Sequence, residues 1–272
     1  RRAIKVGSMI LVAYAVGVST VLFQTVTANR ILTPSIMGFD ALYVLIQTVL
    51  VFTFGGGLVL SMSEPLRYGM EVALMVAFSF LLYRWLFTGG GKSLHLMLLV
   101  GIVLGTMFRG MSSLLQRLIE PSEFIILQDL FFASFNNVDG ALLGYSLIAV
   151  AIVSVPAWRM RHSLDVMSLG RDTSINLGVN HKRSVTGVLV ICSVLVAVST
   201  ALVGPVTFFG LLVASLAYQL CSHFSHKAVV PIAVLLGIIA LVGGQLVLER
   251  IFAFDTALSI VIEFVGGIVF LI

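Results

Sequence analysis

Charge is what this chain has least of. Only 10% of its 272 residues are Asp, Glu, Lys or Arg, while 59% are hydrophobic. With a mean hydropathy of +1.12, the chain has too few polar side chains to cover a soluble domain of this size. The apolar runs are continuous rather than alternating, which argues against a transmembrane β-barrel. The composition therefore predicts an all-α polytopic membrane protein.

Recognisable catalytic and cofactor motifs are also missing. The sequence has no dinucleotide fingerprint, phosphate-binding loop, zinc-type His/Cys spacing or hydrolase nucleophile elbow. Its two cysteines, Cys192 and Cys221, lie in apolar runs and are interpreted as small hydrophobic side chains rather than a disulfide or metal site. His223 and His226 stand beside Lys227, where an interfacial anchor is a simpler interpretation than a metal site. We therefore expect neither an enzyme nor a metal or cofactor bound by the chain itself.

Uncharged segments of about 20 residues, the length that crosses a bilayer, recur along the chain. Residues 184–222 carry no charge and are too long for one span, so Gly204-Pro205 is predicted to break them in two. A single transmembrane domain over residues 1–272 is expected. Its nine predicted spans are 4–25, 41–60, 71–87, 94–115, 141–158, 185–203, 206–222, 228–248 and 256–272.

The longest polar segment inside the chain, residues 159–183, orients these spans. Because cytoplasmic loops are enriched in Lys and Arg, we place this segment in the cytoplasm. With the five basic residues of this segment counted, nine of the 16 Lys and Arg residues then fall inside and seven outside, while most acidic residues fall outside. The chain would begin outside, so we expect one further span before residue 1, giving ten, and a last span cut at its end.

Three segments depart from the simple hydropathy pattern. Residues 29–40 contain proline and glycine yet stay half apolar, so we expect them to dip into the protein interior. In residues 159–183, Gly170 is predicted to separate two short helices, the second bracketed by Gly170 and Gly178. Residues 120–139 predict a short outer helix capped by Ser122. Its apolar face is predicted to carry Phe124, Leu127, Phe131 and Phe135.

Several motifs share an order and spacing that identify a family. Residues 24–38 read QTVTANRILTPSIMG, residues 168–170 and 177–179 read SLG and LGV, and residues 204–211 read GPVTFFGL. Residues 98–105 add a Leu-x-x-Gly-x-x-Leu-Gly pattern. Together they resemble the permease subunits of ABC importers for iron-siderophores and vitamin B12, the FecCD-type family. The chain departs from that family at residues 212–216, which read LVASL where a Pro-His-x-x-Arg element is common.

The resemblance implies a type II ABC importer permease with ten transmembrane helices, about nine of them in this chain. It implies a channel-forming subunit that moves a ferric siderophore, of the catecholate branch, across the bacterial inner membrane by alternating access. ATP and Mg would bind to a separate ATPase. The implied partners are a second permease, as a paralogue or another copy, two ATPase subunits and a periplasmic or lipoprotein substrate-binding protein. The lipid bilayer is also an implied partner, and no nucleic acid is expected to bind.

The resemblance also assigns residues to three roles. Residues 159–183 become a cytoplasmic segment that couples to the ATPase, although the positive charge alone needs no such role. The pathway would follow span 94–115 with an aromatic rim that includes Phe132 and Asn137, although headgroup contact and simple packing explain these residues as well. Basic residues on the outer face would dock the binding protein, unless they only reach for the membrane interface. The coupling residues are Leu169, Gly170, Arg171, Asp172, Asn176, Leu177 and Gly178; the pathway residues are Met107, Arg109, Met111, Ser112, Gln116, Phe131, Phe135 and Asn136; the docking residues are Arg2, Lys5 and Arg250.

Acidic residues inside spans leave other functions open. Glu263 lies within the last predicted span, where a carboxyl group is a functional candidate. Asp40 is another, unless it caps the helix that begins near Ala41. An ion-coupled secondary transporter using these two acids is therefore an alternative, as is a permease for cobalamin, another metal chelate, or zinc or manganese.

Overall fold

The computed structural model describes residues 2–88, 94–131, 133–136, 138–222, 225–250 and 266. Helices and turns account for the regular structure of these residues, and they contain no strand. The helices are α1 (Arg2–Thr27), α2 (Phe39–Phe54), α3 (Gly56–Ser61), α4 (Glu64–Thr88), α5 (Leu94–Gln116), α6 (Pro121–Phe131), α7 (Gly140–Arg159), α8 (Arg161–Met167), α9 (Arg171–Asn176), α10 (His181–Val203), α11 (Phe209–Leu220) and α12 (His226–Arg250), with a 3₁₀ turn at Pro34–Met37.

Six of these helices are long and apolar enough to cross a membrane: α1, α4, α5, α7, α10 and α12. Each coincides with a predicted span. The apolar helices α2 and α11 have 16 and 12 residues. At about 1.5 Å per residue they are shorter than the roughly 30 Å hydrocarbon core of a bilayer. The predicted spans 41–60 and 206–222 are therefore wrong in extent, and span 256–272 lies outside the described residues.

The two most buried helices, α1 and α10, form the centre of the bundle, with α12 and α11 packed on α1 and with α4 and α7 packed on α10. Small residues let α1 and α12 approach closely. A Cβ atom on Gly17 would lie 3.5 Å from the backbone of Val234, and one on Gly237 would lie 3.2 Å from the Cβ of Ala13. This packing of small residues is typical of helices that associate in lipid.

α2 and α11 both begin inside the bundle, after breaks in the chain. Gly38 and Gly204 have φ angles of +90° and +98°, which favour glycine, and each ends the preceding element. The predicted break at Gly204-Pro205 is thus confirmed. The predicted inward dip of residues 29–40 is confirmed for residues 32–40, which are buried or half-buried, whereas residues 29–31 are exposed. Asp40 lies in the first turn of α2, but Gly38 is the capping residue, so the alternative that Asp40 caps this helix is wrong. A cavity of about 20 Å³ separates the two breaks, which is room for a water molecule.

The short helix α6 differs from its prediction. Its first backbone bond runs from Phe124 N to Glu120 O, so Ser122 lies within the first turn and does not cap the helix. The helix ends at Phe131, so Phe135 is not on its face, although Phe135 and Leu127 belong to one core. A break at Gly55, with φ of +77°, was not predicted, although Gly55 is the first of three consecutive glycines, a pattern that favours a turn. The Glu123 carboxylate accepts a hydrogen bond from the N–H of Gly56 there.

Two contacts between α1 and α12 define the ends of the bundle. Lys5, near the start of α1, contacts Glu249 at the end of α12, whereas Thr25, near the end of α1, contacts His226 at the start of α12. The two helices are therefore antiparallel. We call the first the Lys5 end and the second, where α8 and α9 lie, the loop end.

Candidate functional site

The polar segment at the loop end folds as two short helices, as predicted. Gly170, with φ of +100° and ψ of 163°, separates α8 from α9, and Gly178, with φ of +86°, ends the following turn. Non-glycine residues rarely adopt these angles. The Ser174 hydroxyl donates to Arg171 O at 2.7 Å and lies 3.3 Å from Nδ1 of His181, the first residue of α10. These contacts place α9 against the start of a transmembrane helix.

The apolar side chains of α8 and α9 divide into two groups. Leu164 and Met167 are buried, at 0% and 3% exposure, and hold α8 against the bundle. On the other side, three apolar side chains are exposed: Leu169 at 61%, Ile175 at 47% and Leu177 at 60%. We call these three residues the apolar knob. Exposed apolar residues at the polar end of a membrane protein are typical of a protein contact surface.

Ile175 is part of the apolar knob that sequence reasoning missed. In the sequence, Ile175 is a single apolar residue in a polar loop. Its pattern does not predict a contact surface unless its exposure is known. Arg171, Asp172 and Asn176 are exposed on α9 beside the knob. The structure therefore brings all seven predicted coupling residues onto one compact segment, and their role stays a prediction.

A hydrogen-bonded pair formed by a carboxylate and a histidine at the loop end was not predicted. Oδ1 of Asp165, on α8, accepts hydrogen bonds from the backbone N and from Nδ1 of His226, at 2.7 and 2.6 Å. Oδ2 accepts from the Ser225 hydroxyl at 3.3 Å. Partial burial alone would raise the pKa of Asp165, but the hydrogen bonds from His226 outweigh it and lower that pKa below its ordinary value. Asp165 is therefore a carboxylate at neutral pH, and His226 is more than an interfacial anchor.

The predicted docking residues share the Lys5 end, but not one environment. Arg2 and Arg250 are exposed. Lys5 is partly buried, and its Nζ contacts Oε1 of Glu249, so it contributes to an ion pair within the chain. A cleft of about 310 Å³ opens beside Lys5 and is also lined by Glu64, Phe135, Asn136 and Asp139.

The predicted pathway residues on α5 fall into two groups. Met107, Arg109 and Met111 are exposed along the helix. Ser112 is only 2% exposed and donates to Phe108 O at 2.8 Å, and Gln116 donates to the Thr48 hydroxyl at 3.3 Å. Its burial shows that Ser112 faces the packed side of α5 rather than its open side, and its hydroxyl bonds back to its own helix.

The predicted aromatic rim divides in the same way. Asn136 is exposed, Phe131 is partly buried and Phe135 is 2% exposed within the core. Phe135 is therefore packed within this chain and has little surface that a substrate could contact. Phe132, Asn137 and Glu263 lie outside the described residues. Within the residues that are described, no three His, Cys, Asp or Glu side chains gather in a metal-binding group.

The fold is that of an ABC-type permease. A solved structure of a metal-chelate-type ABC transporter, in an inward-facing conformation, superposes with a TM-score of 0.83 at 20% identity, covering 99% of this chain and 84% of the other. At that identity the likeness establishes the fold alone.

The chain belongs to the FecCD transport family, which it matches over residues 1–272. It is 45% identical over 271 residues to the petrobactin import system permease protein YclO of Bacillus subtilis, covering 100% of this chain and 86% of that protein. It is also 38% identical over 271 residues to FatC of Bacillus anthracis, covering 100% and 77%. FatD, of the same organism and the same named system, is 23% identical over 274 residues, covering 97% and 77%. The chain is therefore a multi-pass permease of the siderophore-importer family.

Proposed function

We propose that this chain is the channel-forming permease of an ATP-driven importer, which carries a ferric siderophore inward across the bacterial cytoplasmic membrane. The apolar knob is the observation that carries the proposal. It presents Leu169, Ile175 and Leu177 on a segment whose opposite side is held by Leu164 and Met167. A surface of this kind suits a cleft on an ATPase subunit, which would bind ATP and Mg²⁺ and hydrolyse the ATP.

The proposed mechanism is alternating access. Closure of two ATPase subunits on ATP would displace α8 and α9 and reorient the permease pair around the pathway. Because FatC and FatD are named as permeases of one system, we propose that a paralogue supplies the second permease here. A binding protein would deliver the substrate at the Lys5 end, which the charge pattern places outside.

The proposed substrate is a ferric catecholate siderophore of the petrobactin kind. The relatives YclO and FatC are named for petrobactin import. Such ferric complexes are anionic, and Arg109 places an exposed cation on α5, the helix assigned to the pathway. The test is uptake of ⁵⁵Fe-loaded petrobactin by cells that depend on this chain, with competition by unlabelled petrobactin and by a ferric hydroxamate. Competition by the hydroxamate alone would contradict the substrate class.

The ATPase contact is tested by copurification after mild solubilisation. Leu169→Asp and Leu177→Asp should abolish copurification of the ATPase while the permease still inserts into the membrane, because each puts a charge into an apolar contact. Leu118→Asp is a matched control, since Leu118 is 66% exposed in the turn after α5. Uptake that is unaffected by vanadate would contradict an ATP-driven mechanism and support an ion-coupled transporter.

A further inference from the structure

One imidazole connects three helices at the loop end. His226 is the first residue of α12 and is 4% exposed. Its Nδ1 lies 2.6 Å from Oδ1 of Asp165 on α8, and its Nε2 lies 2.7 Å from Oγ1 of Thr25 on α1. Both ring nitrogens are therefore used. We call Asp165, His226 and Thr25 the His226 joint.

The bonds of the joint are directional. An ionised carboxylate can only accept, so Nδ1 of His226 donates to Asp165, and the backbone N–H of His226 donates to the same oxygen. The Thr25 hydroxyl lies 2.7 Å from Nε2 and 2.9 Å from Val21 O. It donates its proton to Nε2 of a neutral ring, or to Val21 O while it accepts from a charged ring. The imidazole is held on both sides in either case.

Contacts beyond the joint reach the proposed pathway. Next to Thr25 on α1, the side-chain amide of Gln24 donates to Arg30 O at 2.6 Å. Arg30 stacks over the ring of Tyr218 on α11, 4.6 Å from its centroid, and begins the segment that leads to the 3₁₀ turn. That segment ends at Gly38, whose Cα would lie 3.1 Å from a Cβ on Gly105 of α5. α8 and α5 are thus connected by these contacts together with the stretches of chain between them.

We propose that the His226 joint transmits movement of α8 to α1 and α12, and so couples ATP hydrolysis to transport. This inference rests on the proposed function. Leu164 and Met167 also hold α8, but apolar contacts are non-directional and allow α8 to slide. Hydrogen bonds weaken steeply when their angles change, so the joint forces α1 and α12 to follow. Its three side chains are positioning residues, and none is assigned to substrate.

Four variants test separately the two hydrogen bonds of the His226 ring, one to Thr25 and one to Asp165. Thr25→Val keeps the shape of the side chain and removes the hydroxyl, whereas Thr25→Ser keeps the hydroxyl. His226→Asn places an amide near the position of Nδ1 and loses the reach to Thr25, and His226→Gln does the reverse. Lys227→Gln is the matched control, because Lys227 is exposed and adjacent in sequence to His226.

The experiment uses the assembled complex in proteoliposomes, with the second permease, the ATPase and the binding protein. ATP hydrolysis and uptake of ⁵⁵Fe-loaded petrobactin are measured together, with the Tm of the complex. We expect Thr25→Val, His226→Asn and His226→Gln to lower uptake per ATP hydrolysed by about tenfold. Hydrolysis and ATPase copurification should be retained with at most a small fall in Tm from the lost hydrogen bond, and Thr25→Ser and Lys227→Gln should keep the wild-type ratio.

Two results would overturn the inference. The first is a wild-type ratio of uptake to hydrolysis in Thr25→Val. The second is a parallel fall of uptake, hydrolysis and Tm, which would mean that the joint only stabilises the fold. The wild-type complex separates this inference from the proposed function. If the wild-type complex transports without ATP, both the proposed function and this inference fail. If uptake depends on ATP in wild type and the variants keep the wild-type ratio of uptake to hydrolysis, only the inference about the His226 joint fails.

Discussion

Met37 and Gly101 meet so closely that no side chain fits between them: a Cβ atom on Gly101 would lie 2.9 Å from the Cα of Met37. The contact joins the middle of α5 to the 3₁₀ turn. Since the obstacle is backbone and not the flexible end of a side chain, the two segments would have to separate to admit a methyl group. The backbone of α5 therefore packs directly against the backbone of the 3₁₀ turn, with no side chain between them.

Gly101→Ala is expected to destabilise the permease by about 1–3 kcal/mol, the usual cost of overpacking. Thermal unfolding in detergent should show a lower Tm, and siderophore uptake should fall because α5 is displaced. Gly144→Ala on α7 is the control, since a Cβ there meets nothing within 4 Å. Equal Tm values for the two variants would show that α5 and the turn separate without cost.

Gly170→Ala should weaken ATPase binding by distorting the turn between α8 and α9. The residue has φ of +100° and ψ of 163°, a region that costs other residues about 1–3 kcal/mol. Copurified ATPase and uptake are the measurements, and Gly170→Pro should abolish uptake while membrane insertion is retained. Gly69→Ala on α4 is the control, because Gly69 has no positive φ and open space around it. Normal uptake in Gly170→Pro would place the ATPase contact elsewhere.

Asp172→Arg should also abolish uptake without affecting insertion. Asp172 is exposed in the first turn of α9, beside the apolar knob, where reversal of charge alters the face offered to the ATPase. Uptake and the amount of permease in the membrane are measured in the same cells. Asp139 is unsuitable as a control because it caps α7, so Lys227→Glu, at an exposed position of the same end, serves instead. Full uptake by Asp172→Arg would show that this face of α9 does not contact the ATPase.

Glu71→Ala is expected to lower stability by about 1–3 kcal/mol, because a buried donor loses its acceptor. The side-chain amide of Gln47 donates to Oε1 of Glu71 at 2.6 Å, and the two residues are 1% and 2% exposed. Glu71→Gln retains an acceptor for Gln47 but loses the ion pair with Arg67, whose Nε lies 3.7 Å from Oε1, so its Tm should lie between those of Glu71→Ala and wild type. Glu120→Ala removes an exposed carboxylate as the control. Identical Tm values for Glu71→Ala and Glu71→Gln would show that the bond contributes nothing.

Arg2→Glu and Arg250→Glu together should slow association of the binding protein by about tenfold at low salt, since charge complementarity acts mainly on the association rate. Both residues are exposed at the Lys5 end. Association kinetics at two salt concentrations are the measurement, with Lys227→Glu at the opposite end as the control. Lys5 is tested by exchanging its charge with that of Glu249 in a double variant, because a single substitution would also break the ion pair between them. Unchanged association rates would assign these residues to the membrane interface.

The sequence by itself determined the class of protein, the long spans and the family. Composition and continuous apolar runs are local properties, and the breaks at Gly204 and Gly170 follow from the residues at those positions. The paired Leu-Gly elements also pointed to the two short helices that we propose as the ATPase contact, because the motif is confined to a short stretch of chain. The extents of spans 41–60 and 206–222 could not be placed, since hydropathy does not show where a helix begins or breaks inside a bundle.

Only the tertiary structure decided which side chains meet. Asp165 and His226 are 61 residues apart, and His226 and Thr25 are 201 apart, so no local pattern predicts their bonds. Packing also decided exposure, which separated Leu169, Ile175 and Leu177 from Leu164 and Met167, and turned Ser112 and Phe135 inward. Burial depends on the surrounding helices as well as on the residue, which is why apolar side chains of one short segment end on opposite sides.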